Sequence, residues 1–167
     1  FYFDEPNDVN RTNVNNDVAG ITVTPIDIST SETGGTGTFS IRLNTEPVND
    51  VNIFLSSSDL TECDQISETV ITFNSTNWNI AQVITITGKD ELIDDGDINF
   101  NIITSAASSD DPKYSSMAVD DVQFTNVDND QAGFVVSNIS NHTTENGGTA
   151  TFTVRITSKR ATDLEKY

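Results

Sequence analysis

The sequence is poor in most of what reactive or membrane-embedded proteins are built from. It holds one cysteine, Cys63, so no disulfide can form within the chain. That thiol sits in Glu62-Cys63-Asp64, read as an acidic loop whose carboxylates raise its pKa and blunt it as a nucleophile; exposed, it could cross-link two chains. The one histidine, His142, lies in a polar stretch beside two threonines and lacks the partner that a nucleophile–base pair needs, so it reads as a surface residue. No Gly-x-Ser-x-Gly elbow, phosphate loop or His-Glu-x-x-His helix occurs, and the chain reads as no enzyme. Nor is there an apolar run long enough to span a bilayer or a signal peptide, so no membrane insertion is expected in this segment. Basic residues are scarce: eight Lys and Arg stand against 26 Asp and Glu, for a formal charge of −18. Nucleic-acid backbones and anionic membranes would repel such a surface, which leaves cations as its natural counterpart.

What the chain has is a repeat. Asn13-Val14-Asn15-Asn16-Asp17-Val18-Ala19-Gly20-Ile21 returns as Asn126-Val127-Asp128-Asn129-Asp130-Gln131-Ala132-Gly133-Phe134. Thr30-Ser31-Glu32-Thr33-Gly34-Gly35-Thr36-Gly37-Thr38-Phe39 returns as Thr143-Thr144-Glu145-Asn146-Gly147-Gly148-Thr149-Ala150-Thr151-Phe152. The offset is constant at about 113 residues, a unit long enough to carry its own core and so to form beads on a string. Residues 1–17 read as the end of a preceding repeat, 18–130 as one complete unit, and 131–167 as the N-terminal part of the next, truncated in this window on a longer array.

Thr, Val, Ile and Phe dominate the apolar and β-branched content, as strands require. Seven strands are predicted in the complete unit, over 21–28, 36–43, 50–57, 70–73, 80–87, 98–105 and 119–127, with 58–67 as a polar loop. Phe39, Ile41 and Leu43 share one face, as do Val51, Ile53 and Leu55, then Ile98, Phe100 and Ile102, then Val122 and Phe124. Pro25 would interrupt a ladder, which marks the first strand as an edge or as a bend between two sheets. About seven short alternating strands in such a length predict an all-β fold, an immunoglobulin-like antiparallel β-sandwich in tandem repeat.

Most carboxylates then fall in loops and at strand ends. Because strands alternate direction, Glu32, the loop after Leu55, the segment Asp90–Asp97 and Asp128 with Asp130 are expected to share one end, at the junction with the next unit. Uncompensated, such a cluster repels itself and raises its own pKa values. Calcium resolves the conflict: it takes six to eight oxygens in flexible geometry, whereas Mg²⁺ demands a tight octahedron and zinc lacks its usual His and Cys ligands here. The segment Asn126–Asp130 is not an EF-hand, because Gln131 stands where Gly is required and no Glu follows at the twelfth position. The alternative is that these are ordinary solvated loop acids that keep the protein soluble.

These residues resemble the Calx-beta domain and the Calx-beta-like repeats of large extracellular surface proteins. The resemblance is carried by Ser31-Glu32-Thr33-Gly34-Gly35-Thr36 before Phe39, by Gly88-Lys89-Asp90-Glu91 leading to Asp94-Asp95-Gly96-Asp97, and by Asp128-Asn129-Asp130 before Ala132-Gly133. It implies calcium bound at the domain end by Glu32, Asp59, Asp90, Glu91, Asp95, Asp128 and Asp130. Asn129 departs from an acidic triplet and Lys89 precedes the late-loop pair, each lowering the negative charge; Asn15-Asn16-Asp17 of the preceding unit is poorer still.

The function expected is that of a structural repeat of a long extracellular or cell-surface stalk, filament or adhesin, its partners being neighbouring repeats, identical chains in a filament, or surface glycans and proteins. Extracellular calcium modules bind with dissociation constants of about 10⁻⁴–10⁻³ M, which matches that setting. The rival is a carbohydrate- or protein-binding module; there Trp78, the one tryptophan, would stack on a sugar if exposed and belong to the core if buried. Asn10, Asn74, Asn138 and Asn141 stand in Asn-x-Ser/Thr sequons and would accept glycans on a eukaryotic secretory route.

Overall fold

The alternation of apolar and polar residues becomes two facing sheets. A computed structural model describes Val14 and residues 16–159. The sequon at Asn10 and nearly all of the expected preceding repeat end lie outside the described residues. The first sheet runs in the order β1 (Ile21–Asp27), β3 (Thr36–Leu43), β7 (Gln82–Gly88), β5 (Cys63–Ile66). The second runs β2 (Ser29–Ser31), β10 (Val122–Val127), β8 (Ile98–Thr104), β4 (Val51–Ser57), β6 (Val70–Phe73), with β9 (Ser108–Ser109) continuing β8 alongside β4.

Their inner faces form one core. Phe39, Ile41, Leu43, Ile84 and Ile86 from the first sheet meet Val51, Ile53, Phe73, Phe100, Ile102 and Phe124 from the second, all buried. Phe124 ties the layers: its ring stands edge-on to Phe39 at 6.1 Å and stacks on Phe100 at 5.9 Å. Each such side chain stabilises the fold by roughly 1.5–3 kcal/mol, which lets the unit hold without a disulfide. Trp78 is half-buried and packs against this core, with its carbonyl accepting from the Leu43 amide at 2.9 Å. No helix among the described residues is long and apolar enough to cross a membrane.

One alternative left open by the sequence is resolved, and two details differ from the sequence reading. The first strand is both of the things Pro25 allowed: β1 is an edge strand whose register slips between Pro25 and Asp27, after which β2 joins the opposite sheet. There it pairs with β10 in parallel, so the sandwich is not wholly antiparallel. The stretch read as a polar loop contains β5, which begins at Cys63; that residue is 5 % exposed, and burial more than Asp64 raises its pKa. Cross-linking through this thiol is therefore excluded by its burial.

At the incoming end Tyr114 is fully buried, and its hydroxyl donates to the Thr45 carbonyl at 2.7 Å while accepting from the Thr45 amide at 3.1 Å. Asp111, also buried, accepts from the Val48 amide at 2.9 Å and the Lys113 amide at 2.9 Å. Leu43, next to Gly20, marks the end where the chain enters; Val127, next to Glu32, marks the end where it leaves.

Beyond the sandwich, β11 (Phe134–Val136) pairs with β12 (Val154–Ile156). Phe134 opposes Ile156 and Val136 opposes Val154, as Ile21 opposes Leu43 and Val23 opposes Ile41. The turns agree as well: Gly147 at φ 89° and Gly34 at φ 82° each donate to a carbonyl three residues back, Thr144 and Ser31, at 3.0 Å. Phe152, Val154 and Ile156 are exposed, whereas Phe39, Ile41 and Leu43 in the complete unit are sealed under the second sheet.

Candidate metal centre

Strand β10 presents Val122, Phe124 and Asn126 inward, and it ends where the Val127 carbonyl accepts the Glu32 amide at 3.1 Å. That bond sets Glu32, at the end of the β2 strand, beside residues 128–130. The Glu32 side chain is 2 % exposed, and its Oε2 accepts from the Asn129 amide at 3.0 Å. Asp128 is fixed from three sides: its amide donates to Asp97 Oδ1 at 3.1 Å, its Oδ1 accepts from the Asp130 amide at 2.7 Å, and its Oδ2 accepts from the Gly96 amide at 2.7 Å. The β7–β8 loop is thereby folded over the outgoing strand. Asp94 continues the clasp by accepting from the Ala132 amide at 2.6 Å.

The result is two groups of carboxylates that share Glu32. One joins Glu32, Asp128 and Asp130, the other Glu32, Glu91 and Asp95; within each group one oxygen per residue lies within 4.8 Å of the others. Glu91 Oε1 and Asp130 Oδ2 are buried without a hydrogen-bond partner. A buried carboxylate oxygen left so is costly unless a cation meets it. Burial and then the charges of Asp95, Glu62 and Glu32 push Glu91 up to about 7. Burial also raises Glu32, against the Asn129 amide that lowers it and with Asp128 and Asp130 adding to the rise; Asp130 rises for the same two kinds of reason. Asp128 is held below the ordinary carboxylate range by the Asp130 and Gly96 amides. An oxygen-rich, negatively charged cleft with unpartnered acceptors suits a hard cation rather than a phosphate or a carboxylate.

Of the seven acids expected there, Glu32, Glu91, Asp95, Asp128 and Asp130 come together. Asp59 does not: its Oδ1 accepts from the Thr61 hydroxyl at 2.6 Å and the Thr61 amide at 2.8 Å, which lower its pKa and spend it on its own turn. Asp90 lines a depression of about 410 Å³ with Glu32 and Lys89 and is sensed by Asp130, but it belongs to neither group. Lys89 Nζ donates to the Leu60 carbonyl at 2.8 Å.

Glu62, which the sequence reading passed over, is 5 % exposed and faces Glu91. A buried amide aims it: Asn126 Nδ2 donates to Glu62 Oε2 at 3.2 Å and to the Lys89 carbonyl at 3.1 Å, while its Oδ1 accepts from the Thr30 hydroxyl at 3.0 Å. This network needs Gly88, since a Cβ there would sit 2.4 Å from Asn126 Oδ1 and 2.4 Å from the Ser31 carbonyl. Among the sequons, Asn138 and Asn141 are exposed; Asn74 is half-buried and its Oδ1 accepts from the Thr76 hydroxyl at 2.7 Å.

No protein-family model matches the chain. No curated protein matches it either. Among solved structures it is similar to a member of the MSP family from C. elegans, with a TM-score of 0.42 and 12 % identity over 65 % of this chain and 96 % of that one. It is also similar to a chain of the chaperone–tip adhesion subunit pre-assembly complex from the archaic chaperone-usher Csu pili of Acinetobacter baumannii. There the TM-score is 0.43 and the identity 11 %, over 77 % of this chain and 63 % of that one, which is less than two thirds of its length. Both likenesses are distant.

Proposed function

We propose that the chain is part of a tandem array of Calx-beta-like sandwiches in an extracellular or cell-surface stalk, filament or adhesin, and that calcium held by the acids at each outgoing end stiffens the joint to the next unit. The observation that carries this reading is the pair of carboxylate groups sharing Glu32, with buried oxygens of Glu91 and Asp130 lacking any partner. Glu32, Glu91, Asp95, Asp128 and Asp130 would hold the ion or ions. Calcium supplies positive charge that removes the mutual repulsion, and it accepts irregular oxygen sets that Mg²⁺ does not. A chain of formal net charge −18, with only eight Lys and Arg, has little basic side-chain charge to do this from within.

The mechanical part of the reading rests on where these acids lie. Asp94 reaches the Ala132 amide, the Leu92 carbonyl accepts the Lys159 amide, and Ile93 bridges Lys159, so the β7–β8 loop touches the hairpin that follows. An ion that orders this loop orders the joint. The array itself is supported by the matching register and turn of β1–β3 and β11–β12 at a constant offset. Neighbouring repeats are then the first partners, and identical chains in a filament the next.

The test is thermal unfolding of the 167-residue chain in EGTA and across a calcium titration, with magnesium as control. A ligand of the folded state raises stability with concentration by mass action, about 2.7 kcal/mol at a hundredfold excess over its dissociation constant. A calcium-specific rise that Asp128→Asn with Asp130→Asn abolishes is the expected result. No shift at several times a roughly millimolar dissociation constant would leave the acids as solvated loops.

A further inference from the structure

The incoming end of the sandwich, remote from the acids, carries a second concave feature. Between the β3–β4 loop and β9 lies a depression of about 540 Å³ lined by Val48, Asn49, Asp50, Asn52, Ser108, Ser109 and Asp110. Its walls are fixed before any ligand arrives. Asn52 pairs with Ser108 and Val51 with Ser109 across β4 and β9. Buried Asp111 grips both sides, accepting from the Val48 amide at 2.9 Å while its own amide donates to Ser109 Oγ at 3.0 Å.

The lining decides the chemistry of a ligand. Among the described residues two carboxylates and no Lys, Arg or His line the depression, which turns away phosphate, sulfate and carboxylate groups. Asn52 Oδ1 already accepts from the Thr72 hydroxyl at 2.7 Å, so the lining offers a ligand the carboxylates of Asp50 and Asp110, the amide of Asn49, the Asn52 N–H groups and the serine hydroxyls, donors and acceptors of the kind that vicinal hydroxyls of an uncharged ligand require.

An apolar surface adjoins it. Phe54 projects outward from β4 on the same face as Asn52, about 7 Å along the strand. It is 50 % exposed, and its partner across β6 is Val70, 41 % exposed. An exposed aromatic beside hydrogen-bonding groups offers a platform for the C–H face of a pyranose while the hydroxyl edges reach the polar wall.

We propose that this depression and the Phe54–Val70 platform form a binding site for a neutral pyranose unit of an uncharged glycan. The site is independent of the acids at the outgoing end, so its fate and that of the calcium reading are separable.

The experiment is an NMR titration of the ¹⁵N-labelled full chain, in EGTA, with the methyl glycosides of glucose, galactose, mannose and N-acetylglucosamine, and with galactose 6-sulfate as the anionic control. At least one neutral glycoside is expected to shift the amides of residues 49–52 and 108–110. Asp50→Ala and Phe54→Ala, both at exposed positions, are each expected to weaken that binding by about tenfold while leaving the thermal midpoint close to that of the parent. The proposal is overturned by an absence of shifts in these amides at about 20 mM of every neutral glycoside, well above a roughly millimolar affinity. It is equally overturned if the shifts survive both substitutions, if the sulfated sugar binds as well as its neutral counterpart, or if calcium added without EGTA moves the same amides.

Discussion

Replacing Glu91 with glutamine removes one charge from a half-buried carboxylate that faces Asp95, Glu62 and Glu32 and has an oxygen without a partner. The folded-state pKa is near 7 against an ordinary 4.5, so the charged form is the one that folding disfavours. The cost is absent below the ordinary value, grows as pH rises through the interval, and is complete above 7. Taken at face value the displacement is worth roughly 3 kcal/mol, and solvent screening of a half-buried group reduces this to about 1–2 kcal/mol. Glu91→Gln is therefore expected to raise the midpoint of the calcium-free protein at pH 8 by about 4–8 °C, using roughly 4 °C per kcal/mol for a domain near this size. At pH 4.5 the two proteins should melt together. In saturating calcium the order should reverse, because glutamine supplies a weaker oxygen to the ion. Differential scanning calorimetry at both pH values, in EGTA and in calcium, reads all four quantities. A variant less stable than its parent in EGTA at pH 8, or one whose calcium response is undiminished, would refute the account of the cluster as repelling carboxylates that await a cation.

Other expectations follow from the same structure. Asp59→Asn should leave the calcium-induced rise in melting temperature unchanged, because Thr61 already holds that carboxylate, whereas Glu62→Gln should reduce it; calcium titration by calorimetry compares the two. Gly88→Ala should cost about 1–3 kcal/mol and abolish the calcium response by displacing Asn126, whereas Gly34→Ala, with open space around it, should cost only about 1 kcal/mol for its left-handed backbone, as read by urea denaturation. Tyr114→Phe should destabilise the chain by about 1–3 kcal/mol in the same assay, since it strips partners from the Thr45 amide and carbonyl, and should leave calcium binding intact.

The sandwich was legible where side chains alternate cleanly. Phe39, Ile41 and Leu43, or Val51, Ile53 and Leu55, point one way because the pleat allows nothing else, and all are buried. It was illegible where an element is too short to show a period. Strand β5 buries Cys63 but leaves Asp64 and Gln65 exposed, and β2 buries a threonine, Thr30, so neither announces itself as apolar. Five of the expected acids converge because strand parity places their loops at one end. Asp59 departs from them for a local reason, its turn with Thr61, which no spacing rule weighs. Glu62 was hidden by its acidic neighbours, although a signal was present: continuing the inward series Val122, Phe124 by two residues gives Asn126, a buried amide that needs a partner such as Glu62.

The parallel pairing of β2 with β10 bears on how such a chain would respond to force. Tension applied along a string of these units pulls the β1–β2 segment toward the incoming end and β10 toward the outgoing end. Because the two strands run the same way, Ser29, Thr30 and Ser31 would be dragged lengthwise past Thr125, Asn126 and Val127, and the bonds between them would have to break together rather than one after another. The Thr30–Asn126 hydrogen bond lies in that same seam, buried beneath the acids. Strung in series, a unit without a covalent staple would place its load across a shear clamp, and a cation drawing Glu32 toward Asp128 and Asp130 would fasten the clamp at its open end.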